Sequence, residues 1–203
     1  MSRQKIHVVL FLIFLAVLIW SGIHPHDYFT WMLEVAPAVI AVIVLSLTYK
    51  RFELSMLLYV LILIHTIILM VGGKYTYAEV PLFDWIRDKL GTARNSYDGV
   101  GHFAQGFIPA IFAREILIRK SPVKSGKWLF FLSICLPLAF SAFYELIEWW
   151  VSLATGEAAD AFLGAQGDPW DTQKDMALCL AGSILSMLLL SKLHDRSLAR
   201  LRM

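Results

Sequence analysis

Carboxylates and one histidine recur at helical spacing inside otherwise apolar segments of the sequence. Glu145 and Glu148 lie three residues apart in SAFYELIEWW, so both project from one face of a helix. Asp98 and His102 lie four residues apart in YDGVGHFAQGF, a spacing at which both side chains reach one ion or the acid orients the imidazole. Oxygen ligands combined with an imidazole suit divalent metal ions. These four residues are therefore candidate metal ligands or acid–base groups.

A third stretch, GAQGDPWDTQKDM, carries three aspartates at positions 168, 171 and 175. Asp168 followed by Pro169 is typical of a helix start, with aspartate as the N-cap and proline at the first helical position. Capping alone would account for Asp168 and Asp171, because a helix N-terminus favours carboxylates. Asp175 lies nearly two turns further on. We therefore assign Asp171 and Asp175, with the two glutamates, to a metal site, and Asp98 and His102 to catalysis.

Each of these residues also has a purely structural interpretation. The two glutamates could extend to water below an interfacial belt formed by Trp149 and Trp150. A histidine on an apolar helix is often simply packed and hydrogen-bonded. The acids could also pair with Arg94 or Lys174, which lie close in sequence to Asp98 and Asp175.

The elements that must position these groups are membrane helices. Of the 203 residues, 58% are hydrophobic and only 17% are charged, and the mean hydropathy is +0.64. A span needs about 20 mostly apolar residues. Six segments qualify, at about residues 6–23, 31–48, 54–71, 98–118, 128–153 and 174–192. The sequence thus predicts one all-α integral membrane domain over residues 1–203, a bundle of six transmembrane helices.

Basic residues fix the expected orientation. Lysine and arginine concentrate at alternate ends of the six segments, which the positive-inside rule assigns to the cytoplasm. Both termini are then cytoplasmic, and the candidate acids and His102 share a layer near the periplasmic side. Glu34 and His65 fall near this layer without local support, whereas Arg114 and Glu115 are expected to form an interfacial pair near the cytoplasm. Residues 74–95 are predicted to be a short amphipathic outer segment that could cover the layer.

The three stretches YDGVGHFAQGFIPAIFARE, SAFYELIEWW and GAQGDPWDTQKDM together resemble the YjdF-like proteins of bacterial inner membranes. The resemblance runs over nearly the whole chain. It implies a small multi-pass protein of the inner membrane, and it points to the same acids and His102 without indicating their chemistry.

Three functions are compatible with these residues. The first is a metal-dependent membrane enzyme, a hydrolase or transferase, that acts on a lipid or lipid-linked substrate from the periplasmic side with a divalent ion of open identity. The second is a transporter of a cation or a proton-coupled solute. The third is a non-catalytic structural or assembly protein. Membrane lipids are the expected partners, assembly with further copies of the chain stays open, and no basic patch interleaved with aromatic residues indicates nucleic acid.

Overall fold

The protein is all-helical. A computed structural model describes residues 2–155 and 166–201, so Gly164 and Ala165 of the third stretch, and Arg202, lie outside the described residues. Seven helices lie within these ranges: Arg3–Gly22 (α1), Tyr28–Thr48 (α2), Met56–Lys74 (α3), Pro81–Leu90 (α4), Tyr97–Lys120 (α5), Lys127–Thr155 (α6) and Asp171–Ala199 (α7).

Five of the described helices are long and apolar enough to cross a membrane, namely α1, α2, α3, α6 and α7. The predicted polytopic membrane architecture is thereby confirmed. At 1.5 Å per residue, the 29 residues of α6 or α7 extend about 43 Å, which exceeds the roughly 30 Å of the hydrocarbon core.

Helix α5 is the central element of the fold. It packs against α3, α6 and α7, and its buried residues include charged, small and aliphatic side chains. Its closest neighbour is α7, because a Cβ atom at Gly106 would overlap the backbone of Cys179, and one at Gly182 would overlap the carbonyl oxygen of Phe103. This central position explains why α5 is not one of the five long apolar helices. Its surface faces protein more than lipid.

Helices α1 and α2 pack on α3, around a core of Phe14, Val35, Ala38 and Met70. The start of α1 and the end of α7 lie at the same end of the bundle, since the Arg3 side chain donates a hydrogen bond to the carbonyl oxygen of Arg200. The turn between α1 and α2 lies at the opposite end, where the backbone amide of His26 donates to the carbonyl oxygen of Lys74, 2.9 Å away. The candidate acids belong to this second end.

The start of α7 differs from the sequence prediction. Asp168 is not the N-cap, because the helix begins at Asp171 and Trp170 is the capping residue. The Asp168 carboxylate instead accepts a hydrogen bond from the backbone amide of Trp170 at 3.0 Å, in a turn that precedes the helix. Pro169 therefore lies outside the helix and shapes this turn.

Candidate metal centre

Asp98, His102 and Asp175 form a compact buried group at the packed contact between α5 and α7. The His102 Nε2 atom lies 3.4 Å from Asp98 Oδ1 and 3.9 Å from Asp175 Oδ2. One potential ligand atom of each residue lies within 4.8 Å of the others. The four-residue spacing places Asp98 and His102 on one face of α5, and the close approach of α7 at Gly106 and Gly182 adds Asp175. This group could hold a metal ion.

The second ring nitrogen of His102 fixes the orientation of the imidazole. Nδ1 lies 3.1 Å from Gln105 Oε1, one turn along α5. An amide oxygen only accepts hydrogen bonds, so this contact places a proton on Nδ1. In the neutral ring, the Nε2 lone pair then faces the carboxylates of Asp98 and Asp175. A metal-ligating histidine commonly has this arrangement, with its other nitrogen donating to an oxygen.

The two glutamates of α6 have different contacts. Glu145 Oε1 lies 3.8 Å from His102 Nδ1 and is a buried atom without a hydrogen-bond partner among the described residues. Glu148 is also buried, one turn away, and lines a cavity beside His102. Of the four residues predicted to be metal ligands, only Asp175 belongs to the compact group; Glu145 and Glu148 lie around it.

Asp171 has a different environment from Asp175. Its Oδ1 atom accepts a hydrogen bond from Arg94 at 2.5 Å, and the same Arg94 nitrogen lies 3.2 Å from Asp168 Oδ2. The second terminal nitrogen of Arg94 is 3.6 Å from Asp98 Oδ2. Arg94 therefore ties the segment before α5 to the start of α7. A hydrogen bond from Lys174 holds the pKa of Asp168 below its usual range, so this outer carboxylate stays ionised.

A cavity of about 100 Å³ adjoins the compact group. Its polar lining comes from α2, α3, α5 and α6 and from the turn after α3: Glu34, His65, Tyr77, Asp98, His102, Gln105, Tyr144 and Glu148. Glu34 is buried, and its carboxylate accepts a hydrogen bond from the Tyr144 hydroxyl at 3.5 Å. Glu34 and His65, which had no local support in the sequence, thus share a cavity with Asp98 and His102. Gln105 is a site residue that the sequence prediction missed, although its three-residue spacing from His102 was visible.

A second polar cluster lies toward the end of the bundle that carries the termini. The predicted pairing of Arg114 with Glu115 is wrong, because adjacent helical residues point in different directions. Glu115 instead accepts from Arg119 at 2.6 Å and lies 2.9 Å from His194 Nε2. Arg114 contacts His194 Nδ1 at 2.8 Å and donates to Asp195 at 2.7 Å. His194 was missed, since the sequence offered only a charged helix end.

Comparisons with known proteins agree with this architecture. A family model described as "Predicted membrane protein (DUF2238)" matches residues 6–196. The protein named "Inner membrane protein YjdF" of Escherichia coli (strain K12) is 52% identical over 184 residues, which cover 91% of this chain and 88% of that relative. No solved structure matches the chain. The resemblance to YjdF-like proteins is confirmed: the chain belongs to the DUF2238 family and is a multi-pass protein of the inner membrane.

Proposed function

We propose that this protein is a metal-dependent membrane enzyme, a hydrolase or transferase, that acts on a lipid or lipid-linked substrate at the periplasmic side. The observation that carries the proposal is the meeting of one imidazole nitrogen with two buried carboxylates within 4.8 Å. With Nδ1 protonated toward Gln105, the Nε2 atom and the carboxylate oxygens repel one another unless a proton or a metal ion lies between them. A divalent ion satisfies all three.

The proposed position of the site assumes six spans with both termini in the cytoplasm. Helix α5 then crosses the membrane in addition to the five apolar helices, as the fourth span in chain order. The exposed Trp85 on α4, Trp149 on α6 and Trp170 just before α7 support a position of the acid layer near headgroups, because tryptophans gather at membrane interfaces. The side of the membrane rests on the lysines and arginines at the opposite ends of the helices. Helix α4 is then the outer amphipathic segment. A reporter fused after residue 203 should be active only in the cytoplasm; a periplasmic signal would reverse the side on which the acids lie.

The residues around the compact group have distinct roles in this proposal. Asp98, His102 and Asp175 would hold the ion, which would supply Lewis-acid stabilisation of a phosphoester oxygen and a nucleophile at neutral pH. Gln105 keeps the His102 ring oriented. Glu145 would act as the general base, because its Oε1 atom lies 3.8 Å from His102 and accepts no hydrogen bond from the described residues. The chemistry takes place within reach of lipid headgroups.

Metal binding is the first test. Protein purified in detergent, loaded with Mn²⁺ and freed of excess ion, should retain manganese by elemental analysis, and Asp175→Asn should lose the ion held by Asp98, His102 and Asp175. Asp88→Asn is a matched control, because the same chemical change falls on a side chain that is 69% exposed on α4. Equal metal content in wild type and Asp175→Asn would remove the metal enzyme and leave the structural interpretation.

Turnover is the second test. Wild-type protein in vesicles made from total inner-membrane lipid should change the lipid profile, measured by mass spectrometry, only when Mn²⁺ or Mg²⁺ is added. Asp175→Asn should give the profile of vesicles without protein, and Asp88→Asn should behave as wild type. A profile that never depends on metal or on Asp175 counts against an enzyme.

One observation favours transport as the second candidate. The buried cluster of Arg114, Glu115 and His194 extends the polar groups of α5 and α7 toward the other side of the membrane. However, the backbones of α5 and α7 touch at Gly106 and Gly182, between this cluster and the metal group. This contact favours a site open to one side. Ion or proton flux above background in proteoliposomes, lost in both Asp175→Asn and Glu115→Gln, would support transport instead.

A further inference from the structure

The acid layer contains more negative charge than one metal ion can neutralise. Six of its carboxylates are buried: Glu34, Asp98, Glu145, Glu148, Asp171 and Asp175. Arg94 is the guanidinium that contacts them among the described residues. With His102 neutral as a ligand, full ionisation of the six leaves five formal negative charges after Arg94 is counted, and one divalent ion still leaves three. Buried charge of this size requires further cations or protons, because each unpaired ion inside protein is strongly disfavoured.

Glu148 is one of the carboxylates that the first metal position leaves without a cation. Its side chain is 92% buried, as its exposed fraction is 8%, yet its carboxylate makes no hydrogen bond or ion pair within residues 2–155 and 166–201. It faces the 100 Å³ cavity rather than the group of Asp98, His102 and Asp175. Glu34 lines the same cavity, and within the described part of the chain its carboxylate receives a 3.5 Å hydrogen bond from the Tyr144 hydroxyl. Two buried carboxylates thus reach one polar cavity with much of their bonding capacity unused.

The cavity connects directly to the first group through Asp98, which belongs to both. It has room for an ion with one or two waters, since a water in the liquid occupies about 30 Å³. A carboxylate has two oxygens, so Asp98 can contact two ions at once. Enzymes that hydrolyse or transfer phosphoesters commonly place two divalent ions roughly 3.5 to 4 Å apart in this way.

We propose that the cavity binds a second divalent cation, with Glu34 and Glu148 as its own ligands and Asp98 shared with the first ion. This inference rests on the proposed metal-dependent function and makes it more specific. A two-ion centre stabilises both the attacking and the leaving oxygen of a phosphoryl group, so the substrate class is a phosphoester of a lipid or lipid carrier. In the hydrolysis, a water forms the new P–O bond and would lose a proton to Glu145, while the P–O bond to the leaving oxygen breaks and that oxygen would take the proton back from Glu145.

Metal stoichiometry tests the inference without knowledge of the substrate. Wild-type protein in detergent, loaded with Mn²⁺ and separated from free ion, should hold two manganese ions per chain. Glu148→Gln and Glu34→Gln should each hold one, and the double variant Glu148→Gln with Asp175→Asn should hold none. Glu79→Gln, on a side chain that is 54% exposed, should hold two.

Electron paramagnetic resonance gives a second measurement on the same samples. Two Mn²⁺ ions this close should give the broadened signal of a coupled pair, and Glu148→Gln should convert it to the six-line signal of an isolated ion. One manganese per chain in wild type, unchanged in Glu148→Gln, overturns the second position and leaves the first intact. No manganese in wild type overturns both. Because wild type alone separates these outcomes, the test does not depend on the folding of a variant.

Discussion

The cluster around Glu115 should be the most sensitive point for stability, and Glu115→Gln tests it. The Glu115 carboxylate accepts hydrogen bonds from the Ser55 backbone amide at 3.0 Å and from Arg119 at 2.6 Å, and it lies 2.9 Å from His194 Nε2. Arg114 donates to His194 Nδ1, so the proton of the imidazole lies on Nε2 and points at Glu115. Three donors therefore converge on one buried carboxylate. The glutamine keeps the volume but directs an NH₂ group at donors and removes the charge opposite Arg119.

The size of the effect follows from these contacts. Breaking a buried ion pair by removing one partner costs about 3 to 5 kcal/mol. The lower end applies here, because the Arg119 side chain is 22% exposed and water can partly solvate its charge. A loss of about 3 kcal/mol lowers the melting temperature of a chain of this length by roughly 6 to 12 °C, at 2 to 4 °C per kcal/mol.

The assay is thermal unfolding in detergent, followed by the fluorescence of the seven tryptophans. Asp88→Asn, the exposed acid on α4, is the control and should melt within about 1 °C of wild type, as surface changes usually do. Glu115→Gln should also retain wild-type manganese, because its cluster is separated from the metal group. A melting temperature within 2 °C of wild type would refute the reasoning about this cluster.

Three further perturbations follow from the same geometry. Gly106→Ala places a Cβ atom against the Cys179 backbone, so it should lower stability by at least about 1 to 3 kcal/mol in the same melting assay. Asp175→Asn, measured with excess chelator, should melt no lower than wild type because it removes a carboxylate from a repulsive group; a clear drop would contradict this. Asp27 caps α2 through a 2.6 Å hydrogen bond from the Thr30 amide, which lowers the pKa of Asp27. Asp27→Ala should therefore cost about 1 kcal/mol at pH 7, and the difference from wild type should disappear as the pH falls through that lowered pKa.

Local spacing predicted the parts of the site that lie on one helix. Asp98 and His102 share a face of α5 because four residues make just over one turn. Asp175 lies four residues after the start of α7, so helix capping does not account for it, and it is buried. Local spacing also placed Asp171 in the metal site, whereas its carboxylate contacts Arg94. Its partner Arg94 is 77 residues away in the chain, and which carboxylates a loop arginine reaches depends on how the helices pack.

Hydropathy alone was a poor guide to the role of α5. The segment was the least apolar of the six predicted spans, and the polar residues that made it so are the ones that the fold buries between α3, α6 and α7. A hydropathy scale measures how readily a residue leaves water for an apolar medium. It therefore underestimates a central helix, whose polar side chains are surrounded by protein and not by lipid. For the same reason His194, counted within a charged helix end, proved to be fully buried beside Glu115. Composition along one segment carries no information about neighbours that come from elsewhere in the chain.

The two polar clusters differ in a way that bears on function. Around Glu115 the donors and acceptors match, since the carboxylate meets an amide, a guanidinium and an imidazole N–H. Around His102 they do not match, since one imidazole nitrogen faces two carboxylates while Glu145 and Glu148 add further buried acceptors. A fold that needed polar groups only to hold helices together would use the first arrangement throughout, because unmatched buried charge is costly. The proposed cation site rests on this mismatch beside α5 and α7, because a proton or a metal ion between His102 and the carboxylates would remove it.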